Sequence, residues 1–302
     1  MSPTDTRISS ASSYALPFHR MTRLRSLTVW FLPFSRHGKA EEVKFFKKLN
    51  QTLIPNTLHQ FWTLTVMPAQ DIRFLRRQNQ LRRLTTSKLP EDCIKDPSFL
   101  PQLEDLELKG DEIEQSLWLL QTRALRALSV TFRHAHLKQQ FHGNSLVLLD
   151  MKFESVSQSS WISFLHLRAV DCPNVVCLFL QLDMGEDEEP LPAFDRAGNV
   201  DWFSPVIQAL ERWQQMQVLQ LKAVTTTPPN HVVSAFKTNC RTPRLRDVLL
   251  QVSDEEDTEK NYELRRNVDR GWDVAESEQT DVLNWMNGSR STVVQEPLVL
   301  TK

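Results

Sequence analysis

The chain has 302 residues, 40% apolar and 24% charged, with a net charge of −1, a balance ordinary for a soluble globular protein large enough for one or two domains. Its 7 glycines form no GxGxxG or GxxxxGK[ST] string, which argues against a fold built on a glycine-rich phosphate loop. The small net charge hides an asymmetry, because Lys and Arg crowd the first third while Asp and Glu dominate the rest.

The N-terminal stretch MSPTDTRISSASSYALPF lacks an apolar core of signal-peptide length, and residues 1–20 read as disordered or as a frayed cap. No run approaches the ~20 apolar residues of a membrane helix. The expectation is a soluble intracellular protein, cytoplasmic or nuclear, with no membrane partner.

From Leu24 onward the pattern apolar-x-x-apolar-x-apolar recurs: LRSLTV at Leu24, FWTLTV at Phe61, LRRLTT at Leu81, LEDLEL at Leu103 and LRALSV at Leu125. It continues as LVLLDM at Leu146, VVCLFL at Val175, MQVLQL at Met216 and LRDVLL at Leu245. Each hexamer reads as a short strand whose fourth and sixth residues share one face, with the third, fifth and seventh on the other. Between the hexamers run helical stripes: Val43, Phe46, Leu49 and Leu53; Ile113, Leu117 and Leu120; Trp161, Phe164 and Leu165 behind Ser157 or Ser159 as cap. Val206, Leu210 and Trp213 form a fourth stripe, and Val232, Val233 and Phe236 a fifth behind the cap candidate Asn230. Alternating strand and helix predicts an α/β fold with a parallel sheet backed by helices. No single repeat could bury its own apolar face, so the copies must stack.

The hexamers resemble leucine-rich repeats over Leu24 to Gln251. The uneven spacing, tryptophan-rich helices and charged tail resemble the repeat region of fungal F-box/leucine-rich-repeat proteins. That resemblance implies an irregular solenoid over residues 21–252 with its sheet on the concave side and no cofactor. In that family an F-box docks onto the adaptor of a cullin-RING ubiquitin ligase and the repeats bind the substrate. Two features depart from it. The asparagine expected two residues after the hexamer is replaced by Asp111, Arg133, Glu154, Asp183, Val224 and Ser253. No F-box is visible, since the F-box-like string LPEDCI (Leu89 to Ile94) lies between two repeats. A ligase adaptor is therefore expected as a partner only if an F-box exists elsewhere.

The outward positions place a candidate protein-binding surface. In the first repeats they are Trp30, Thr63, Thr65 and Arg83, followed by Asp105, Glu107, Ala127 and Ser129. From the sixth hexamer onward they become apolar: Leu148, Cys177, Phe179, Val218 and Leu249, rimmed by Asp150, Gln181, Gln220 and Lys222. An exposed apolar patch with a polar rim is the mark of a protein-recognition site. The acidic stretch 183–200 or the C-terminal tail could instead fold over it.

Catalysis finds no positive pattern. His134 and His136 lack a third metal ligand at suitable spacing and read as a solvated pair. Cys93, Cys172, Cys177 and Cys240 form no CxxC and read as reduced and buried. The basic run Arg73, Arg76, Arg77, Arg82 and Arg83 motivates an alternative, a nucleic-acid-associated scaffold, although only Phe74 is interleaved for stacking. A truncated, non-functional homologue is the other alternative. Residues 253–302 read as a charged linker followed by a C-terminal cap around Trp272 and Trp285, with 289–302 mobile.

Overall fold

Six of the strands are preceded by the same turn. In the computed structural model the amide at the first hexamer position donates to the carbonyl three residues earlier: Leu24 to Met21, Leu81 to Gln78, Leu103 to Leu100, Leu146 to Gly143, Val175 to Cys172 and Met216 to Trp213. Proline at the second turn residue, as in Leu100-Pro101-Gln102-Leu103 and Cys172-Pro173-Asn174-Val175, pre-sets the φ such a turn needs. The residues described are 4–8, 17–29, 38–63, 71–89, 91–108, 113–154, 156, 158–183, 203–224, 229–253, 259–267 and 271–277. They fall into two compact units, Met1–Val130 and Thr131–Lys302. The fold is α/β, a mostly parallel sheet with helices between strands and no closure into a barrel.

In the first unit β1 (Thr4–Ile8), β2 (Leu24–Val29), β3 (Gln60–Thr63), β4 (Arg83–Thr86), β5 (Asp105–Leu108) and β6 (Ala127–Phe132, ending just past the boundary) follow one another as parallel neighbours. Within residues 1–20, read as disordered or as a frayed cap, Thr4–Ile8 forms β1 at the edge of the sheet. Between strands lie α1 (Gly38–Thr52), a 3₁₀ segment Asp71–Arg77, the four-residue α2 (Glu91–Ile94) and α3 (Ile113–Thr122). Phe74 joins the layers, stacking on Phe46 of α1 at 6.3 Å and meeting Phe61 of β3 edge-on at 5.1 Å. In α1 the buried stripe is Phe45, Phe46 and Leu49, continued by Leu53 just past its end, while Val43, expected inside, is exposed.

The register of the second repeat differs from the sequence reading. Leu27 pairs Phe61, and Phe61 pairs Leu84, so Phe61 holds the fourth hexamer position, not the first. The repeat begins at the fully buried Leu58 and reads LHQFWT. A ladder of loop bonds fixes this frame: the carbonyl at the second position accepts the amides of the second or third position of the next repeat. His59 donates to Arg25, Arg82 and Arg83 to His59, Glu104 and Asp105 to Arg82, and Arg126 and Ala127 to Glu104. Thr63 and Thr86 thus occupy sixth positions and are fully buried, whereas Thr63 was expected to face outward.

In the second unit β7 (Leu148–Glu154), β8 (Cys177–Asp183), β9 (Val218–Val224) and β10 (Asp247–Ser253) are parallel and in register through Leu149, Leu178, Leu219 and Val248. β11 (Glu259–Asn267) and β12 (Gly271–Ser277) extend them antiparallel. This corrects the expectation of a charged linker across 259–267. There Tyr262 and Leu264 are buried, while the charged residues between them masked the period of two. The remainder of that expectation, 254–258 and 278–302 with Trp285, lies outside the described residues.

Helices α4 (Gln158–Asp171), α5 (Phe203–Glu211) and α6 (Pro229–Asn239) stand between these strands. Pro229 opens α6, where its missing amide costs nothing. Asn230, expected as the cap, lies inside the helix and accepts the Tyr262 hydroxyl at 3.3 Å. The core is aromatic: Phe132, Phe153 and Phe164 lie within 4.6–5.9 Å of one another, Phe153 reaches Trp161 at 6.2 Å, and the Arg168 guanidinium sits 5.0 Å over Phe141. Trp272 of β12 is buried edge-on to Phe236 of α6 at 5.7 Å.

Candidate protein-recognition face

Helices cover the leucine face of the strands, so any recognition surface on the sheet must use the opposite face. In the second unit that face carries three cross-strand rows. The first runs Leu148, Cys177, Val218, Asp247, Arg265 and Asp273, and the second Asp150, Phe179, Gln220, Leu249, Glu263 and Ala275. The third runs Lys152, Gln181, Lys222, Gln251, Asn261 and Ser277. All nine expected site residues thus share one face and stand in neighbouring positions.

Their exposure differs from expectation. Leu148, Cys177 and Leu249 are 0% exposed and Phe179 3%, so the apolar patch is covered, not open to solvent. Side chains of this size lose most when left in water, and the face is correspondingly withdrawn from it. Of the two stretches considered as covers, the acidic one lies outside the described residues beyond Asp183, and the described part of the tail, β11 and β12, extends the sheet at its edge. Asp150, Gln181, Val218 and Lys222 are half-buried. Burial pushes the Cys177 thiol up to about 12, Asp247 adding to the shift, so it is no nucleophile. Cys172 is pushed to about 12 for the same reason, burial. All four cysteines are free and buried.

Gln220 is a rim residue only in sequence. It is 6% exposed and donates through Nε2 to Gln251 Oε1 at 2.6 Å, and Gln251 Nε2 donates to Asn261 Oδ1 at 3.1 Å. A buried amide chain across three strands holds register, because a slip by one residue would strand every polar member. At the ninth position, where standard repeats place asparagine, Glu154 accepts Arg133 at 3.2 Å and Lys152 at 2.9 Å. The Lys152 hydrogen bond, aided by Arg133 and opposed by partial burial, holds the Glu154 carboxyl below its usual range.

In the first unit the same face is partly open. Gln60 is exposed, and Ser26, Thr28, Trp62, Arg83, Thr85 and Glu107 are half-buried. Arg83 pairs with Asp105 at 3.5 Å, and the Thr85 hydroxyl donates to Glu107 at 3.0 Å. Ala127 and Ser129 are buried, and Trp30 and Thr65 lie outside the described residues. Trp62, at the fifth position, was missed because FWTLTV was framed three residues late; the turn Pro55-Asn56-Thr57-Leu58 carries the correct frame.

The other candidates take structural roles. Arg76 bridges Asp92 at 2.9 Å and Asp96 at 3.0 Å, Arg77 donates to the carbonyls of Leu49 and Asn50, and Arg82 meets Glu104 at 3.7 Å. Much of the basic run is therefore spent within the protein. His136 Nδ1 accepts the Arg133 amide at 3.3 Å. Among the described residues no group of three His, Cys, Asp or Glu could hold a metal, and no helix is long and apolar enough to cross a membrane. No known protein-family model matches this chain, and neither does any curated protein.

Proposed function

We propose that the chain is a non-catalytic protein-recognition module, an irregular leucine-rich-repeat solenoid that binds its partner on the face opposite the leucines. One observation carries this reading: consecutive in-register strands of the first unit line up Gln60 with Arg83 and Trp62 with Thr85 and Glu107, a half-open aromatic and polar surface. A rigid tryptophan among adaptable polar groups suits a protein partner. Further along, Lys152, Gln181 and Lys222 form a half-buried polar row above the covered Phe179 and Leu249. Engagement of Arg76, Arg82 and Arg83 by carboxylates weighs against the nucleic-acid scaffold. The narrower role of substrate receptor for a cullin-RING ubiquitin ligase rests on the family resemblance alone and requires an F-box elsewhere.

Lysine-directed cross-linking of the captured complex tests this reading. Partner cross-links at Lys152 and Lys222, with few at Lys47 and Lys237 on α1 and α6, support it. Cross-links confined to the helices overturn it.

A further inference from the structure

At the turn end of the last strands of the second unit, an open cavity of about 730 Å³ is lined by Gln217, Pro243, Arg244, Leu245, Arg246, Arg266 and Asn267. Three arginines line it, and among the described lining residues there is no carboxylate. Strand alternation accounts for this separation. Arg266 faces Trp272 across β11–β12, while Asp247, Arg265 and Asp273 occupy the opposite face one residue out of phase. Asn267 in the lining donates through Nδ2 to Asp273 Oδ2 at 3.3 Å.

The cavity is built rather than incidental. Arg266 is held by the Thr242 carbonyl at 2.7 Å and the Pro243 carbonyl at 3.4 Å, and its guanidinium lies 5.4 Å over the Trp272 ring. Those bonds use Nη1 alone and leave Nε and Nη2 to donate elsewhere. Arg244 is steadied by Gln215 Oε1. Arg246, the residue before β10, accepts the Arg266 amide on its carbonyl at 2.8 Å. Three cationic residues around one cavity, with no acid among its described lining residues, raise the local positive potential and favour a compact, multiply charged anion over chloride.

We infer that Arg244, Arg246 and Arg266 form a binding site for a phosphate group, carried by a phosphate monoester or as the free ion. The site lies at the turn end of the strands, away from the recognition face, and does not depend on that reading. Planar guanidinium forks match tetrahedral oxyanions two donors at a time, and three forks can share the oxygens of one phosphate.

The test is isothermal titration of the full chain with inorganic phosphate and, separately, with a phosphoserine peptide, at low fixed ionic strength in chloride. Arg246→Gln and Arg244→Gln are the probes, because Arg266→Gln would also release two carbonyls that tie the turn. Arg265→Gln, on the opposite face, removes the same charge as a control. The expected result is saturable phosphate binding whose Kd rises about tenfold in each probe, the loss of one charge-assisted hydrogen bond, and is unchanged in the control. Tighter binding of the phosphoserine peptide than of the ion assigns the ester as the ligand; equal binding assigns the ion. No saturable phosphate binding, or an equal loss in Arg265→Gln, overturns the site.

Discussion

Replacing Arg123 by methionine isolates how one repeat is tied to the next. Arg123 follows α3 and is 8% exposed, yet among the described residues no carboxylate pairs with it directly. Its guanidinium donates to backbone oxygens: Nε and Nη2 to Phe99 at 3.2 and 2.7 Å, Nη2 to Asp96 at 2.9 Å, and Nη1 to Thr122 at 3.0 Å. Burial lowers its pKa, opposed by Asp96, so the side chain carries a desolvation cost that its donors offset. Methionine keeps most of the apolar stem while leaving the Phe99 and Asp96 carbonyls without these donors. Hydrogen bonds to a charged group are worth ~1.5–3 kcal/mol each, and relief of desolvation returns part of that. The expected net loss is about 2–3 kcal/mol, read as a lower urea midpoint at unchanged m-value. Arg123→Lys keeps the charge but not the planar fork and should recover less than half. A change below about 0.5 kcal/mol for methionine, or full recovery by lysine, would refute the clamp.

Three further outcomes follow from local geometry. A Cβ on Gly143 would stand 2.6 Å from Leu146 Cδ1 and 2.9 Å from Cys172 Sγ in the turn before β7, so Gly143→Ala should cost about 1–3 kcal/mol in denaturant unfolding. An alanine variant as stable as the parent would show that this turn yields. Burial holds Cys172 and Cys177 protonated far above neutrality, so iodoacetamide at pH 8 should label neither until the protein is unfolded; labelling at the unfolded-state rate contradicts that burial. Glu154 has a folded pKa below its unfolded value, so its contribution is present above the usual glutamate range and lost as pH falls through the lowered value. Glu154→Gln should therefore flatten the acid limb of the stability profile below about pH 4 and leave its slope near neutrality unchanged. An unchanged acid limb would remove Glu154 from the account.

How much of this was legible in the sequence varied with the strength of the apolar signal. Leu84, Leu106 and Leu128, like Leu149, Leu178, Leu219 and Val248, stand where the hexamer places them, because leucine on alternate positions admits one register. The second repeat was misframed because its sixth position is Thr63 and its first, Leu58, follows a proline turn that was not used as a marker. β11 was missed because Glu263, Arg265 and Arg266 dominate its composition while Tyr262 and Leu264 alone carry its period. In the second unit the outward positions fall on one face but are not all exposed, and in the first unit Thr63 turns inward. Whether Phe179 and Leu249 meet water depends on what lies over the sheet, which no local pattern encodes. Gln220 and Gln251 read as surface residues on their own, and only their adjacency across β9 and β10 makes them a buried pair.

The recognition claim is tested most directly by affinity capture from the cells of origin with three versions of the chain: the parent, Trp62→Asp, and Leu167→Asp on the exposed side of α4, where Leu167 is 58% exposed. All three must first show the same far-UV spectrum and urea midpoint. The account predicts partners held by the parent and the α4 variant and lost with Trp62→Asp. Partners that survive Trp62→Asp and vanish with Leu167→Asp would contradict it and move recognition to the helices.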